Sequence, residues 1–103
     1  MTKTKVLLAE DDSTMVSLLT TLLKMEGFHV VALHADEDVP AAVRKETPDV
    51  LLMDVHLLHQ SGLDILEKIR ASEDISHTRV VMSSGANVRE ECFNHGANGF
   101  LLK

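Results

Sequence analysis

The sequence predicts an α/β domain: a doubly wound, five-stranded parallel sheet in the order 2-1-3-4-5, with no helix after its last strand. Three observations predict it. Short apolar runs alternate with stretches of helical periodicity from end to end, the pattern of successive βαβ units. The runs are apolar throughout instead of alternating with polar residues, as in strands covered on both faces. Right-handed crossovers leave two main doubly wound orders, and 2-1-3-4-5 is the one that suits five strands. At 103 residues the chain has room for one core and not for two.

The first strand is Val6–Ala9, ending abruptly in Glu10, Asp11 and Asp12. Met15, Leu18, Leu19, Leu22 and Leu23 then recur at three- and four-residue steps, one face of an amphipathic helix. Asp12 or Ser13 suits its N-cap, and Gly27 stands where a left-handed terminator belongs. His29–Leu33 is the second strand. Val39, Ala42 and Val43 face inward from a second helix with Pro40 in its first turn and Thr47–Pro48 as its stop. Val50–Met53 is the third strand, bounded by Asp54. After a loop through Ser61–Gly62, Leu63, Leu66 and Ile69 mark the third helix. Arg79–Met82 forms the fourth strand and runs into Ser83–Ser84–Gly85. Val88, Cys92 and Phe93 mark a short fourth helix closed by Gly96, with Cys92 half-buried. Phe100–Leu102 begins the fifth strand, and Lys103 follows it. With no helix after that strand, one sheet face is expected to be open, so the chain belongs to a longer protein or a partner covers the strip, a second copy included.

Composition narrows the function. Sixteen acids against ten Lys and Arg give a formal net charge of −6, which disfavours non-specific binding to nucleic acid or anionic lipid. Aromatics are only 3%, without Trp or Tyr, so stacking platforms for single strands are scarce. The longest charge-free apolar stretch, Ser13 to Leu23, is far too short to span a membrane. The single cysteine, Cys92, allows no internal disulfide and suits a reducing cytoplasm.

In open α/β sheets, ligands bind beyond the carboxyl ends of the strands where the strand order reverses, here between strands one and three. Glu10 and Asp11 end the first strand and Asp54 the third, so three carboxylates are expected to converge. Strand four brings Ser83–Ser84 to the neighbouring rim, and strand five brings Lys103. Clustered carboxylates repel, which calls for a raised pKa or a bound cation. Hard oxygen ligands without Cys or paired His favour Mg²⁺ or Mn²⁺. A divalent ion, a lysine and a carboxylate able to act as nucleophile are the equipment of phosphoryl transfer through an aspartyl phosphate. Asp54, standing alone after its strand, is the better nucleophile; Glu10 and Asp11 are the better metal pair. The plain alternatives are that Glu10–Asp11–Asp12 only caps a helix and that Asp54 only ends a strand. His56 and His59 lack a third soft ligand and read as exposed loop residues. Asp36–Glu37–Asp38 reads as a solvated helix start, and Gly85 and Gly96 as backbone devices.

The segments LLAEDDSTM, LLMDVHL around Asp54, VVMSSGA around Ser84 and GANGFLLK at the end resemble, in order and over the whole chain, the receiver domain of bacterial two-component response regulators, which has the flavodoxin-like fold of chemotaxis regulators. The resemblance implies one receiver domain over 1–103, truncated before the last helix. It implies that Asp54 accepts a phosphoryl group from the phosphohistidine of a sensor histidine kinase or phosphotransfer protein. Glu10, Asp11 and Asp54 would hold Mg²⁺ (or Mn²⁺), with the main-chain carbonyl of His56 as a further ligand. Ser84 would donate its hydroxyl to the phosphoryl group, Lys103 would pair with it, and Phe100 would be the aromatic switch, remodelling the face of the fourth helix and fifth strand for an effector protein or an output domain. Leu58 stands where the family usually has Pro, HQSG replaces a commoner acidic turn, and Ser84 replaces a frequent threonine.

Two other classes of function compete, an interaction module and an enzyme. A receiver-like interaction module that no longer takes phosphate would be expected to lose the acids or the lysine, and this chain keeps them. A flavin protein wants a Gly- and hydroxyl-rich phosphate loop after strand one, where EDDS has the opposite charge. A phosphatase wants a second acid/base carboxylate close after its nucleophile, where His56 stands. A phosphoacceptor with at most slow self-dephosphorylation, and not an enzyme, is the expectation.

Overall fold

The computed structural model describes residues 3–34, 36–57 and 59–103. Strands β1 (Lys5–Ala9), β2 (His29–Ala32), β3 (Val50–Asp54), β6 (Arg79–Ser84) and β7 (Gly99–Leu102) form one parallel sheet in the order β2-β1-β3-β6-β7. In the five-strand count used for the sequence this is 2-1-3-4-5, as expected. Helices α1 (Ser13–Met25), α2 (Val39–Glu46), α3 (Gly62–Ala71) and α4 (Arg89–Asn94) connect the strands. Two two-residue strands, β4 (His56–Leu57) and β5 (Gln60–Ser61), pair antiparallel between β3 and α3. The periodicity gave no sign of this hairpin, because two-residue strands leave no pattern. Leu58 lies outside the described residues.

Local signals act as their chemistry requires. Asp12 caps α1 by accepting from the amides of Thr14 and Met15 at 2.9 and 3.3 Å, and Asp38 caps α2 through Ala41 at 3.1 Å. Asp38 is thus a cap as well as a solvated residue. Gly27 follows α1 at φ 92°, a left-handed turn that costs glycine nothing. Gly85, by contrast, has neither a positive φ nor a close neighbour, so its backbone does not require glycine.

The sheet separates two apolar layers. On one side Leu7, Leu51, Met53, Val80 and Met82 pack with Val43, Leu66, Ile69 and the fully buried Cys92 from α2, α3 and α4. Cys92 is therefore deeper than the half-buried position expected of it, and α3 also buries Ile65. On the other side Val6, Leu8 and Leu52 lie under Val16, Leu19 and Leu23 of α1. The packed seam of α1 differs from the expected face: Leu18 and Leu22 are each 49% exposed. At about 100° per residue, Leu18 lies roughly half a turn round from Val16. The leucines of α1 therefore spread over more of the helix than one sheet contact can cover. Leu101 is also exposed, on the same side of the sheet as the α1 layer by its register with Ser83. Phe93, expected to face inward from α4, is 39% exposed and lies under the Arg89 guanidinium, 5.2 Å from its ring centroid.

Arg70 fastens the far end of the α3 layer. Its guanidinium donates to the carbonyls of Gly96, Ser76 and Thr78 and to Asn98 Oδ1 at 2.7–2.9 Å. Asn98 Oδ1 also accepts from the Val80 amide.

Candidate functional site

Parallel strands in register deliver their next residues to one edge. Ala9 pairs with Met53, Asp54 with Ser83, and Ser84 with Leu102, so Glu10, Asp54, Ser84 and Lys103 all emerge at the carboxyl edge of neighbouring strands. The Lys103 amide donates to the Ser84 carbonyl at 2.8 Å and holds the end of β7 against β6. The expected convergence occurs: carboxylate oxygens of Glu10, Asp11 and Asp54 lie within 4.8 Å of one another.

The run Glu10–Asp11–Asp12 divides its work by depth. Glu10 is 4% exposed, Asp11 is half-buried, and Asp12 is exposed and caps α1. The capping falls to Asp12 alone, while Glu10 and Asp11 gather with Asp54 at the cleft. Lys103 Nζ reaches Glu10 Oε1 at 2.8 Å and Asp54 Oδ2 at 2.9 Å. Asp54 Oδ1 accepts from the His56 amide at 3.1 Å, while the His56 and His59 side chains lie on the exposed loop.

Burial, followed by the hydrogen bond it shares with Asp54, pushes the Glu10 carboxyl up to about 7. Burial works to raise Asp54 as well, but hydrogen bonds from Glu10, Lys103 and the His56 amide outweigh it and hold Asp54 below its ordinary value. Burial likewise opposes the Lys103 ammonium and is overcome by its two carboxylate partners, which raise it. Of the two carboxyls Glu10 therefore holds a proton the more readily and Asp54 is the more acidic, with the Lys103 ammonium between them. Two carboxylates in one cleft are thereby pushed apart in pKa, the mark of groups set up for different roles.

A divalent cation fits these residues. Glu10 Oε2 is buried without a hydrogen-bond partner among the described residues, a costly condition for a carboxylate. The donors gathered around it are hard oxygens that suit Mg²⁺ or Mn²⁺. Ser84 is buried at the rim, its Oγ accepting from the Ala86 amide at 3.1 Å. Phe100 is half-buried and packs against the larger apolar layer. A contributor that the sequence did not single out is Gly62, buried at the start of α3, whose amide donates to the Val55 carbonyl at 2.7 Å beside Asp54. Its only sign in the sequence is a glycine where a helix begins.

No helix of the described residues is long and apolar enough to cross a membrane. Among relatives, the transcriptional regulatory protein CpxR of Klebsiella pneumoniae subsp. pneumoniae is 38% identical over 78 residues, 76% of this chain. The chain spans only 32% of that relative's length. The chemotaxis protein CheY-3 of Vibrio cholerae is 32% identical over 104 residues, covering 96% of this chain and 79% of that protein. Among solved structures, the chemotaxis response regulator CheY4 of Vibrio cholerae superposes with a TM-score of 0.88 over 99% of this chain and 88% of that one, at 23% identity, a likeness of fold. The receiver domain of the sensor histidine kinase PA1611 from Pseudomonas aeruginosa PAO1, solved with a magnesium ion coordinated in its active-site cleft, gives a TM-score of 0.79 at 25% identity, over 99% of this chain and 86% of that one. A family model, the response regulator receiver domain, matches residues 6–103. With its sheet order, its strand-edge acids and lysine and that match, the chain belongs to the response regulator receiver domain family.

Proposed function

We propose that this domain is a phosphorylation-dependent switch of a cytoplasmic two-component relay, and that Asp54 is its phosphoacceptor. The observation that carries the reading is the Lys103 ammonium bridging Glu10 and Asp54 at the carboxyl edge of the sheet. It marks Asp54 as the ionised member of the pair. A carboxylate oxygen of Asp54 attacks the phosphorus of a phosphohistidine on a sensor kinase or phosphotransfer protein. The new P–O bond forms as the P–N bond breaks, and the imidazole leaves with the electron pair. Glu10, Asp11 and Asp54, with the His56 carbonyl, are the residues that would hold Mg²⁺, which when bound neutralises charge on the phosphoryl oxygens.

Lys103 supplies a fixed positive charge beside Asp54 and exchanges a carboxylate for a phosphoryl oxygen as phosphate arrives. Ser84 turns its hydroxyl from the Ala86 amide toward the new oxygens. Phe100, half-buried on β7 against the larger apolar layer, takes up the altered space. Phosphorylation replaces the single charge of the Asp54 carboxylate with a phosphoryl group of about −1.5 to −2. The net gain is at most about one negative charge together with new acceptor oxygens, enough to bias two arrangements of the α4–β7 face for an effector protein or output domain. The acceptor group turns over with its donor, so the domain acts as a switch, with slow loss of phosphate at most.

The test is intact mass after incubation with acetyl phosphate, a donor whose acetate leaves as the phosphoryl group transfers. The adduct is expected in Mg²⁺, absent in EDTA, and absent in Asp54→Asn. A folded chain that forms no adduct in Mg²⁺ overturns the reading in favour of a phosphate-independent interaction module.

A further inference from the structure

Gly62 combines three features. It is buried, it opens α3, and its φ is not positive, so its backbone conformation is open to any residue. What excludes a side chain is space alone. A Cβ at Gly62 would overlap the Asp54 carbonyl oxygen and stand 3.0 Å from Val55 Cα and 3.1 Å from the Asp54 carbonyl carbon. These neighbours are backbone, which has no rotamer to give way. They belong to the peptide that follows the phosphoacceptor candidate.

The missing Cβ lets the first turn of α3 lie directly on that peptide. The Gly62 amide then closes onto the Val55 carbonyl at 2.7 Å, at the short end of the usual amide–carbonyl range. Val55 in turn donates its own amide to the Ser83 carbonyl at 2.9 Å. The short strands between, with His56 opposite Ser61 and Leu57 opposite Gln60, are held from both sides. The His56 amide reaches Asp54 Oδ1 from within this clamp. So the aim of the Asp54 carboxylate and the place of the His56 carbonyl both depend on how closely α3 approaches the strand.

We infer that Gly62 is a positioning residue: its lack of a side chain sets the Asp54–His56 backbone in the geometry that binds a divalent cation and presents Asp54 to a phosphoryl donor. The inference rests on the reading of Asp54 given above. It concerns a residue that touches neither cation nor phosphate, so its effect passes through main-chain position, as supporting contacts do in metal sites.

The test compares the full chain with Gly62→Ala and with Ile69→Val, a variant that lowers stability within the same helix without touching the loop. Mg²⁺ affinity is measured by titration, following the amide resonances of Asp54, Val55 and His56. Gly62→Ala is expected to bind Mg²⁺ about 10- to 100-fold more weakly, with those resonances displaced before metal is added and the acetyl phosphate adduct slowed. Ile69→Val is expected to bind as the parent does. Equal Mg²⁺ affinity in Gly62→Ala and parent, or equal weakening in both variants, overturns the positioning role while leaving the phosphoacceptor reading intact. A folded parent that binds no Mg²⁺ overturns both. Should Gly62→Ala fail to fold, the parent decides: added Mg²⁺ is expected to slow hydrogen exchange at the Gly62 amide, and unchanged exchange refutes the clamp.

Discussion

Two lysine–glutamate pairs stand at opposite ends of the sheet at nearly the same distance. Lys5 meets Glu46 at 2.9 Å beside the start of β1, and Lys103 meets Glu10 at 2.8 Å beyond the end of β7. Their glutamates respond in opposite directions. Glu46 is lowered, first by its hydrogen bond to Lys5, while Glu10 is raised to about 7, first by burial. The contact is the same; the solvent and the third group differ. Glu46 keeps water and has one cation to itself, whereas Glu10 has lost water and shares its cation with Asp54. An ion pair at the open end fastens surface elements, whereas in the cleft two buried carboxyls share one lysine.

Substitutions can break this contrast in graded steps. The largest effect is expected for Lys103→Met, which leaves Glu10 and Asp54 without their counter-charge. A loss of about 3 kcal/mol is expected at pH 8, read by urea denaturation, with a smaller loss at pH 5 where Glu10 is protonated. A loss as large at pH 5 as at pH 8 would refute the assignment of Glu10 as the proton holder.

Arg70 sharpens the comparison from a third position, since burial opposes its charge and its partners are carbonyl and amide oxygens instead of carboxylates. Arg70→Met is expected to cost about 2 kcal/mol, because it strands several acceptors at once. Its pH dependence between 5 and 8 should match that of the parent, which separates it from Lys103→Met.

Glu10→Gln isolates the proton itself. The folded Glu10 keeps its proton up to about 7 while the unfolded chain gives it up near 4.5. Between these values the native state binds more protons, so stability falls as pH rises. The parent is therefore expected to lose melting temperature relative to Glu10→Gln from pH 4.5 to 7, with the difference constant above. A difference that does not vary with pH contradicts the raised carboxyl.

The smallest effect is expected at the open end. Lys5→Met should cost less than about 1 kcal/mol, and added salt should shrink that cost. An effect comparable to that of Lys103→Met would remove the distinction between the two ends.

The sequence by itself determined the layer order, the helix caps and the edge at which chemistry collects. Those follow from periodicity, from Asp12 and Gly27, and from acids that end apolar runs, all of which act within a few residues of themselves. Tertiary structure decided the rest. The leucines of α1 are alike in the sequence, and only the placement of the helix on the sheet picks Val16, Leu19 and Leu23 for contact while Leu18 and Leu22 stay in water. Glu10 and Asp11 are adjacent acids of similar chemistry, yet the depth of the cleft and the reach of Lys103 make one a buried proton holder. The need for glycine at Gly62 is invisible in its own conformation, because it arises from a peptide eight positions earlier that β3 brings under α3. Local signals are written in neighbouring residues; burial, shared counter-charges and steric exclusion belong to groups that meet only when the chain has folded.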